Sequence, residues 1–340
     1  MIDLFSDTVT RPTTRMREVI ASAAVGDEQR MEDPTVLALI ERVCQTLGKP
    51  AGLFLPSGTM CNVISVKTHT QPGDAVFLGH NCHILRCETG GAAAFSGVVL
   101  EPVPSETGCY TAEALESALY PANPYTPVPR LVCVEQTHNF AGGAVWPMEE
   151  LRAIRKVAQR HGLSVHMDGA RLFNAVVASG RPAHQHAAVA DSVWVDFTKG
   201  LGAPLGAVLC GEVEFIEKAR RYKHMLGGAL RQAGMMAAGC LYALENHVDR
   251  LAEDHRRARK LADYLASFPG FEVFPVETNL LFFKPGDRSP EEFSASLQAR
   301  GVKMSSVGNL MRAVTHLDIS DQDIEETIQA LKTEQSCPIP

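Results

Sequence analysis

Several features are missing from this chain, and each absence removes a class of function. No stretch of about 18 apolar residues occurs, so no membrane-spanning helix is expected. The first residues, Met1-Ile2-Asp3-Leu4-Phe5-Ser6-Asp7, carry neither a basic segment nor a long apolar run, so no secretory signal is expected. The formal net charge is -7 with no basic cluster of the kind that follows a phosphate backbone, which disfavours nucleic-acid binding. No Cys-x-x-Cys pair is found among the nine cysteines (Cys44, Cys61, Cys82, Cys87, Cys109, Cys133, Cys210, Cys240 and Cys337). An odd number in a long chain, several within apolar runs, reads as reduced, buried thiols of a cytoplasmic protein. His80-x-x-His83 and His184-x-His186 lack cysteine or carboxylate partners at ligand spacing, so no metal site is expected. Internal repeats, low-complexity segments and a Gly-Lys-Ser/Thr phosphate loop are absent as well.

What is present is an ordinary globular composition, 45% hydrophobic and 21% charged over 340 residues. A helix is predicted over 16–24. A second follows Asp33-Pro34, with Asp33 as cap and Leu37, Ile40, Val43 and Leu47 as its apolar face. The short strand 51–55 leads through Ser57-Gly58-Thr59 into a helix, which reads either as a plain helix cap or as an anion cup. Strands at 75–78, 98–103, 131–135, 163–167, 192–197 and 207–210 then alternate with helices at 111–119 and 148–161. That alternation predicts an α/β fold, a mostly parallel sheet covered by helices. Residues 212–226 and 229–268 read as long helices, the latter as one or two. The last 70 residues read as a smaller α+β unit, with Ser320 and Asp323 forming a capping box at the final helix. The predicted organisation is an N-terminal segment, 1–25, a large domain, 26–250, and a small C-terminal domain, 251–340.

Two segments within this pattern carry chemistry: His166-Met167-Asp168-Gly169-Ala170-Arg171 and Asp196-Phe197-Thr198-Lys199-Gly200-Leu201-Gly202. Each begins as an apolar strand and ends with a charged residue beside glycine. In open α/β sheets ligands sit at the carboxyl ends of strands. An aspartate and a lysine there are what pyridoxal 5'-phosphate needs. The lysine amine takes the aldehyde as a Schiff base, and the aspartate holds the pyridinium nitrogen.

With these segments stand Ser6-Asp7-Thr8-Val9-Thr10, Glu32-Asp33-Pro34-Thr35, Ser57-Gly58-Thr59, His83-Ile84, Thr137-His138-Asn139, Leu226-Gly227-Gly228, Arg231-Gln232-Ala233-Gly234 and Val314-Thr315-His316-Leu317-Asp318. Together they resemble the low-specificity L-threonine aldolases of pyridoxal-phosphate fold type I, from about residue 3 to residue 332. The resemblance implies pyridoxal phosphate as cofactor and cleavage of β-hydroxy-α-amino acids to glycine and an aldehyde. It implies Lys199 as the Schiff-base lysine, Asp168 against the ring nitrogen, and Ser57, Gly58 and Thr59 on the phosphate. His83 would stack on the ring, with or without a proton role, and His138 would be a second histidine near the substrate hydroxyl. Ser6, Arg171 and Arg312 would bind the substrate carboxylate, Arg171 also lying beside the cofactor. Lys223 and Arg231 would reach a neighbouring subunit's cofactor phosphate, in a dimer or tetramer. The family usually has Tyr-Gly before Glu-Asp-Pro-Thr, whereas this chain has Arg30-Met31. Arg30 either faces solvent, paired with Glu28 or Glu32, or projects into the mouth of the site and favours an anionic substrate such as 3-hydroxyaspartate. Another fold type I activity, β-elimination or amino transfer, and a non-catalytic binding role are the alternatives.

Overall fold

The computed structural model describes residues 1–105 and 108–336; Cys337 lies outside the described residues. The strands in chain order are β1 (Ile2–Asp3), β2 (Ala51–Leu55), β3 (Asp74–Gly79), β4 (Val99–Val103), β5 (Val128–Glu135), β6 (Ser164–Gly169) and β7 (Ser192–Asp196). They continue as β8 (Ala207–Gly211), β9 (Phe271–Val273), β10 (Leu280–Pro285), β11 (Val302–Lys303), β12 (Ser305–Val307) and β13 (Leu310–Val314). Seven of them form the main sheet in the order β2-β8-β7-β6-β5-β3-β4. Neighbours pair in parallel except at β8, which is antiparallel to both β2 and β7. Runs such as Val76-Phe77-Leu78 and Leu131-Val132-Cys133-Val134 are buried throughout, as strands covered on both faces must be.

Helices pack on this sheet, and their local signals are mostly side-chain caps. Helix α1 (Thr14–Ala21) starts where Thr13 Oγ1 accepts from Met16 N, and it stops three residues short of the predicted 16–24 end. Helix α2 (Pro34–Leu47) begins at Asp33 and ends at Gly48 in the left-handed conformation. Its buried face is Val36, Leu39, Val43 and Leu47, while Leu37 turns outward. Steps of three, four and four residues follow the 3.6-residue period; the predicted 37-40-43 steps of three drift off it. Helix α3 (Gly58–His69) is capped by Ser57, whose Oγ accepts from Met60 N. The stretch 229–268 resolves into two helices, Gly234–Asn246 and Leu251–Ala266.

A second sheet, β12-β13-β10-β9, is antiparallel and packs its own core of Leu261, Leu265, Leu281, Phe283, Phe293 and Leu297. The final helix carries the expected box: Asp323 N donates to Ser320 Oγ, and Ser320 N donates to Asp323 Oδ2. The N-terminal segment is less independent than its polar sequence suggests. Strand β1 pairs in parallel with β11, and Leu4 is fully buried in the C-terminal core. From there the chain crosses to the main sheet, where Thr10 Oγ1 donates to Lys199 O at 2.8 Å. Among the described residues the eight cysteines form no disulfide, and they are not uniformly buried: Cys87 is exposed and Cys44 and Cys109 are half-covered.

One carboxylate ties three parts of the main unit together. Buried Asp33 accepts from Gly26 N, Thr35 N, Val36 N and Gly234 N at 2.8–3.1 Å, at the positive ends of α2 and of helix Gly234–Asn246. Asp33→Ala leaves four amides without this acceptor, so unfolding in urea should show a loss of about 3–5 kcal/mol. A loss below about 1 kcal/mol would show that water replaces the carboxylate.

Candidate active site

A cavity of 220 Å³ opens at the carboxyl ends of β6 and β7. Its floor is Asp168, from the end of β6; one wall is Asp196, Thr198 and Lys199, following β7; another is the first turn of α3 with Ser57, Gly58 and Thr59. His83 and Glu88, after β3, complete it with Thr8 of the N-terminal segment. Gly58 has to be glycine, because a Cβ there would lie 2.1 Å from the Trp194 ring.

Asp168 is buried and receives two donors: Asn62 Nδ2 to Oδ2 at 2.8 Å and Ala170 N to Oδ1 at 3.0 Å. Its pKa is nevertheless pushed up to about 6, chiefly by burial and by the nearby Glu135 carboxylate, with His83 and Lys199 pulling the other way. Glu88 Oε1 takes a second bond from Asn62 Nδ2, at 2.7 Å, and meets His83 Nδ1 at 2.9 Å. Glu88 Oε2 is buried without a partner among the described residues. Glu135 accepts from His83 N and Asn139 N, joining the two loops that follow β3 and β5. Burial works against a charge on His83, but the Glu88 bond and the Asp168, Glu88 and Glu135 carboxylates outweigh it and raise its pKa above the usual 6.5.

Lys199 Nζ donates to Asp196 Oδ2 at 2.7 Å and lies 5.7 Å from the Trp194 ring centre. Beside it, Arg171 forms a buried, two-bond pair with Asp7: Nη2 to Oδ1 at 2.6 Å and Nε to Oδ2 at 2.8 Å. Burial alone would raise the Asp7 pKa, yet the Arg171 guanidinium holds it well below the usual carboxylate range. Arg312 donates to Asn139 Oδ1 at 3.1 Å and to Phe5 O at 3.3 Å, and its Nε has no partner. Burial, with the Arg171 charge adding to it, brings its pKa down to about 10, so it stays cationic at neutral pH.

The structure thus gathers Ser57, Gly58, Thr59, His83, Asp168 and Lys199 around one cavity. Ser6, Arg171 and Arg312 adjoin it through Asp7 and Asn139. Arg171 is paired with Asp7 through Nε and Nη2. His138 is buried against Gly79 and Gly108, outside the cavity lining, with neither ring nitrogen bonded among the described residues, and burial lowers its pKa. Lys223 does not reach outward: it is 1% exposed and paired with Glu28 of its own chain. Arg231 is exposed and bonds Asp27 Oδ2 at 3.0 Å. Arg30 lies outside the cavity lining, 74% exposed, 3.9 Å from Asp27 rather than paired with Glu28 or Glu32. The turn 27–30 is held to residues 223–231 by these ion pairs, so the Arg30 side chain points to solvent and does not enter this chain's site.

Sequence reasoning passed over Asn62, Asp7, Glu88, Glu135, Asn139 and Asp196. Asp196 could have been found from its position at a strand end three residues before Lys199. The others are acids and amides scattered over α3, the end of β5 and separate loops, and no spacing assigns them a role. Ligand atoms of His83, Glu88 and Asp168 lie within 4.8 Å of one another, so His83 does have the carboxylate neighbours that its sequence context lacks.

Comparison with known proteins agrees in sequence and in fold. Residues 3–286 match the beta-eliminating lyase family. The low-specificity L-threonine aldolase 1 of Arabidopsis thaliana is 40% identical over 341 residues, covering 97% of this chain and 95% of the relative. The low specificity L-threonine aldolase of Escherichia coli (strain K12) is 36% identical over 327 residues, covering 96% and 97%. The solved structure of Leishmania major threonine aldolase superposes with a TM-score of 0.86 at 20% identity, over 98% of this chain and 99% of that one, which shows the shared fold.

The Asp168 environment has a measurable consequence. Between the ordinary 3.8 and about 6, the folded chain keeps a proton on Asp168 that the unfolded chain has released. Stability of the cofactor-free protein should therefore fall as pH rises through that window. Asp168→Asn should remove about 3 kcal/mol of that fall, measured as denaturation free energies at pH 4 and pH 7. The same pH dependence in both proteins would show that Asp168 is ionised throughout.

Proposed function

The chain belongs to the beta-eliminating lyase family, with the threonine aldolases, and we propose that it is a pyridoxal-phosphate-dependent aldolase acting on threonine, allo-threonine and related β-hydroxy-α-amino acids. The observation that carries this reading is one cavity faced by Lys199, by Asp168 and by the N-terminus of α3. The residues fit the cofactor. Asp168 is a buried carboxylate lacking a full cationic partner, Ser57 caps a 12-residue helix whose positive end suits a phosphate, and Glu88 Oε2 awaits a donor. Pyridoxal phosphate held there supplies an aldehyde that links to amines and a ring that accepts the electron pair released when Cα–Cβ breaks.

The remaining work falls to the chain. Lys199 presents the amine, with Asp196 and the Trp194 face setting its position. Asp168 supplies the negative charge against the ring nitrogen. Asp7 is taken by Arg171, while Arg312 bonds only the neutral Asn139 and Phe5 O, so one positive charge is left over for the carboxylate of an amino acid. Arg312 carries it, since Arg171 is already paired. His83 spends Nδ1 on Glu88, which leaves Nε2 to take the β-hydroxyl proton. His138, buried and outside the cavity lining, acts in this reading through an intervening water. Homo-oligomeric assembly is part of the same reading, supported by the exposed Met31, Met225 and Met235. So is a cytoplasmic location, supported by free cysteines; among the described residues no helix is long and apolar enough to cross a membrane.

Threonine, allo-threonine and phenylserine should each yield glycine and the matching aldehyde without a keto acid. Turnover that depends on a keto acid would point to amino transfer instead. Borohydride reduction followed by peptide mapping should place the cofactor on Lys199, and Lys199→Ala should retain almost no activity; label on a different lysine overturns the assignment. Arg312→Lys keeps the charge but loses the fork, and kcat/KM for threonine should drop about tenfold.

The base must be neutral to accept a proton, so kcat/KM should rise as pH climbs through the raised pKa of His83. Glu88→Gln removes the hydrogen-bonded one of the three carboxylates that raise it, and the acid limb should move to lower pH. An unmoved limb would exclude His83 as the base.

A further inference from the structure

Asn62 is fully buried, and all four hydrogen-bonding positions of its side-chain amide are taken. Its orientation is fixed by a group that has no choice. The Trp194 indole N–H can only donate, and it lies 2.7 Å from Asn62 Oδ1. The NH2 group must then face the other way, toward Glu88 Oε1 at 2.7 Å and Asp168 Oδ2 at 2.8 Å. His166 Nε2 gives Oδ1 its second bond at 3.1 Å. Burial holds that imidazole neutral, its pKa lowered to about 3. With Nε2 carrying the proton, Nδ1 must accept, and the Ser192 hydroxyl stands 2.8 Å away to donate. Ser192 Oγ in turn accepts from His69 Nε2 at 2.8 Å. The donors thus run in one direction, from His69 through Ser192 and His166 to the amide, and from the amide to two carboxylates.

Those two carboxylates serve different ends of the reaction. Asp168 sets the charge at the floor of the cavity, and Glu88 holds the Nδ1 side of His83. We propose that Asn62 is a positioning residue of the aldolase reaction, a single NH2 group that holds Asp168 and Glu88 at fixed separation and couples the cofactor end of the site to the proton-accepting end. This rests on the reading of the cavity as a pyridoxal-phosphate aldolase site. It is separable from that reading, because nothing in the cofactor chemistry requires one amide to serve both acids.

The test uses Asn62→Asp and Asn62→Ala. The aspartate is nearly isosteric and keeps the acceptor for Trp194 and His166, so the network beneath it survives, but both donors are gone. Affinity of the apoprotein for pyridoxal phosphate, by equilibrium dialysis, should fall about ten- to a hundred-fold in either variant. The pH profile should separate the two. The charged groups facing His83 are Glu88, Asp168 and Glu135, with Lys199 across the cavity. A further carboxylate at position 62 adds negative charge to that set, so the acid limb of kcat/KM should move to higher pH in Asn62→Asp and much less in Asn62→Ala. A packing role alone would predict lower stability with an unmoved limb. Trp194→Phe, which frees the amide to rotate, should lower cofactor affinity in smaller measure, and it decides the matter if neither Asn62 variant folds. Wild-type affinity and an unmoved limb in the folded variants overturn the role of Asn62 alone. Wild-type protein that fails to take up pyridoxal phosphate removes the aldolase reading and this one together.

Discussion

Burying a carboxylate costs several kcal/mol unless donors or cations meet it, and this structure buries Asp7, Glu88, Glu135 and Asp168 within one site. Each is met differently. Asp7 has a two-bond guanidinium partner and stays ionised far below the usual range. Glu135 takes backbone amides from two loops. Glu88 shares an amide and an imidazole. Asp168 has two neutral donors and no close cation of its own, and its pKa climbs to about 6. In the proposed reading, a ring that can hold a proton meets the residual need for positive charge at Asp168.

The sheet makes this arrangement possible. Strands β3, β5, β6 and β7 are adjacent and parallel, so the loops that follow them emerge on one edge. His83 and Glu88, Glu135 and Asn139, Asp168 and Arg171, and Asp196 and Lys199 come from the ends of those strands and the segments that follow them. The N-terminal segment adds the last wall. Strand β1 is anchored on the C-terminal unit through β11, and the chain then carries Ser6, Asp7 and Thr8 across to Arg171 and the cavity. Arg312, on β13, arrives from the same C-terminal unit. The carboxylate end of the site is therefore assembled between two cores, and the cofactor end within one.

Much of the framework was legible in the linear chain because its causes are local. Apolar runs bounded by glycine and charge marked every strand of the main sheet, and the caps at Asp33, Ser57 and Ser320 marked helix starts to within a residue. The placement of Lys199 and Asp168 at strand ends facing one cavity was legible too, since a charged residue beside glycine at a strand end is a local pattern. The N-terminal strand was missed: two residues pairing with β11 leave no periodic signal. The outward turn of Leu37 was missed because a stripe of threes resembles a helical face over one turn and departs from it over three.

Partner choice is another matter. The segments 27–30 and 223–231 both looked free to reach outward, and each satisfies the other instead, through Lys223 with Glu28 and Arg231 with Asp27. Arg171 looked like a carboxylate ligand and is spent on Asp7; Asn62 looked like one more residue of an apolar helix and joins two acids. Chain chemistry alone was enough for strand, cap and reactive residue type, because those depend on neighbours within a few positions. Which charges are spent on structure and which remain for a ligand depends on side chains more than a hundred residues apart, and burial magnifies that choice, so only the folded packing decided it.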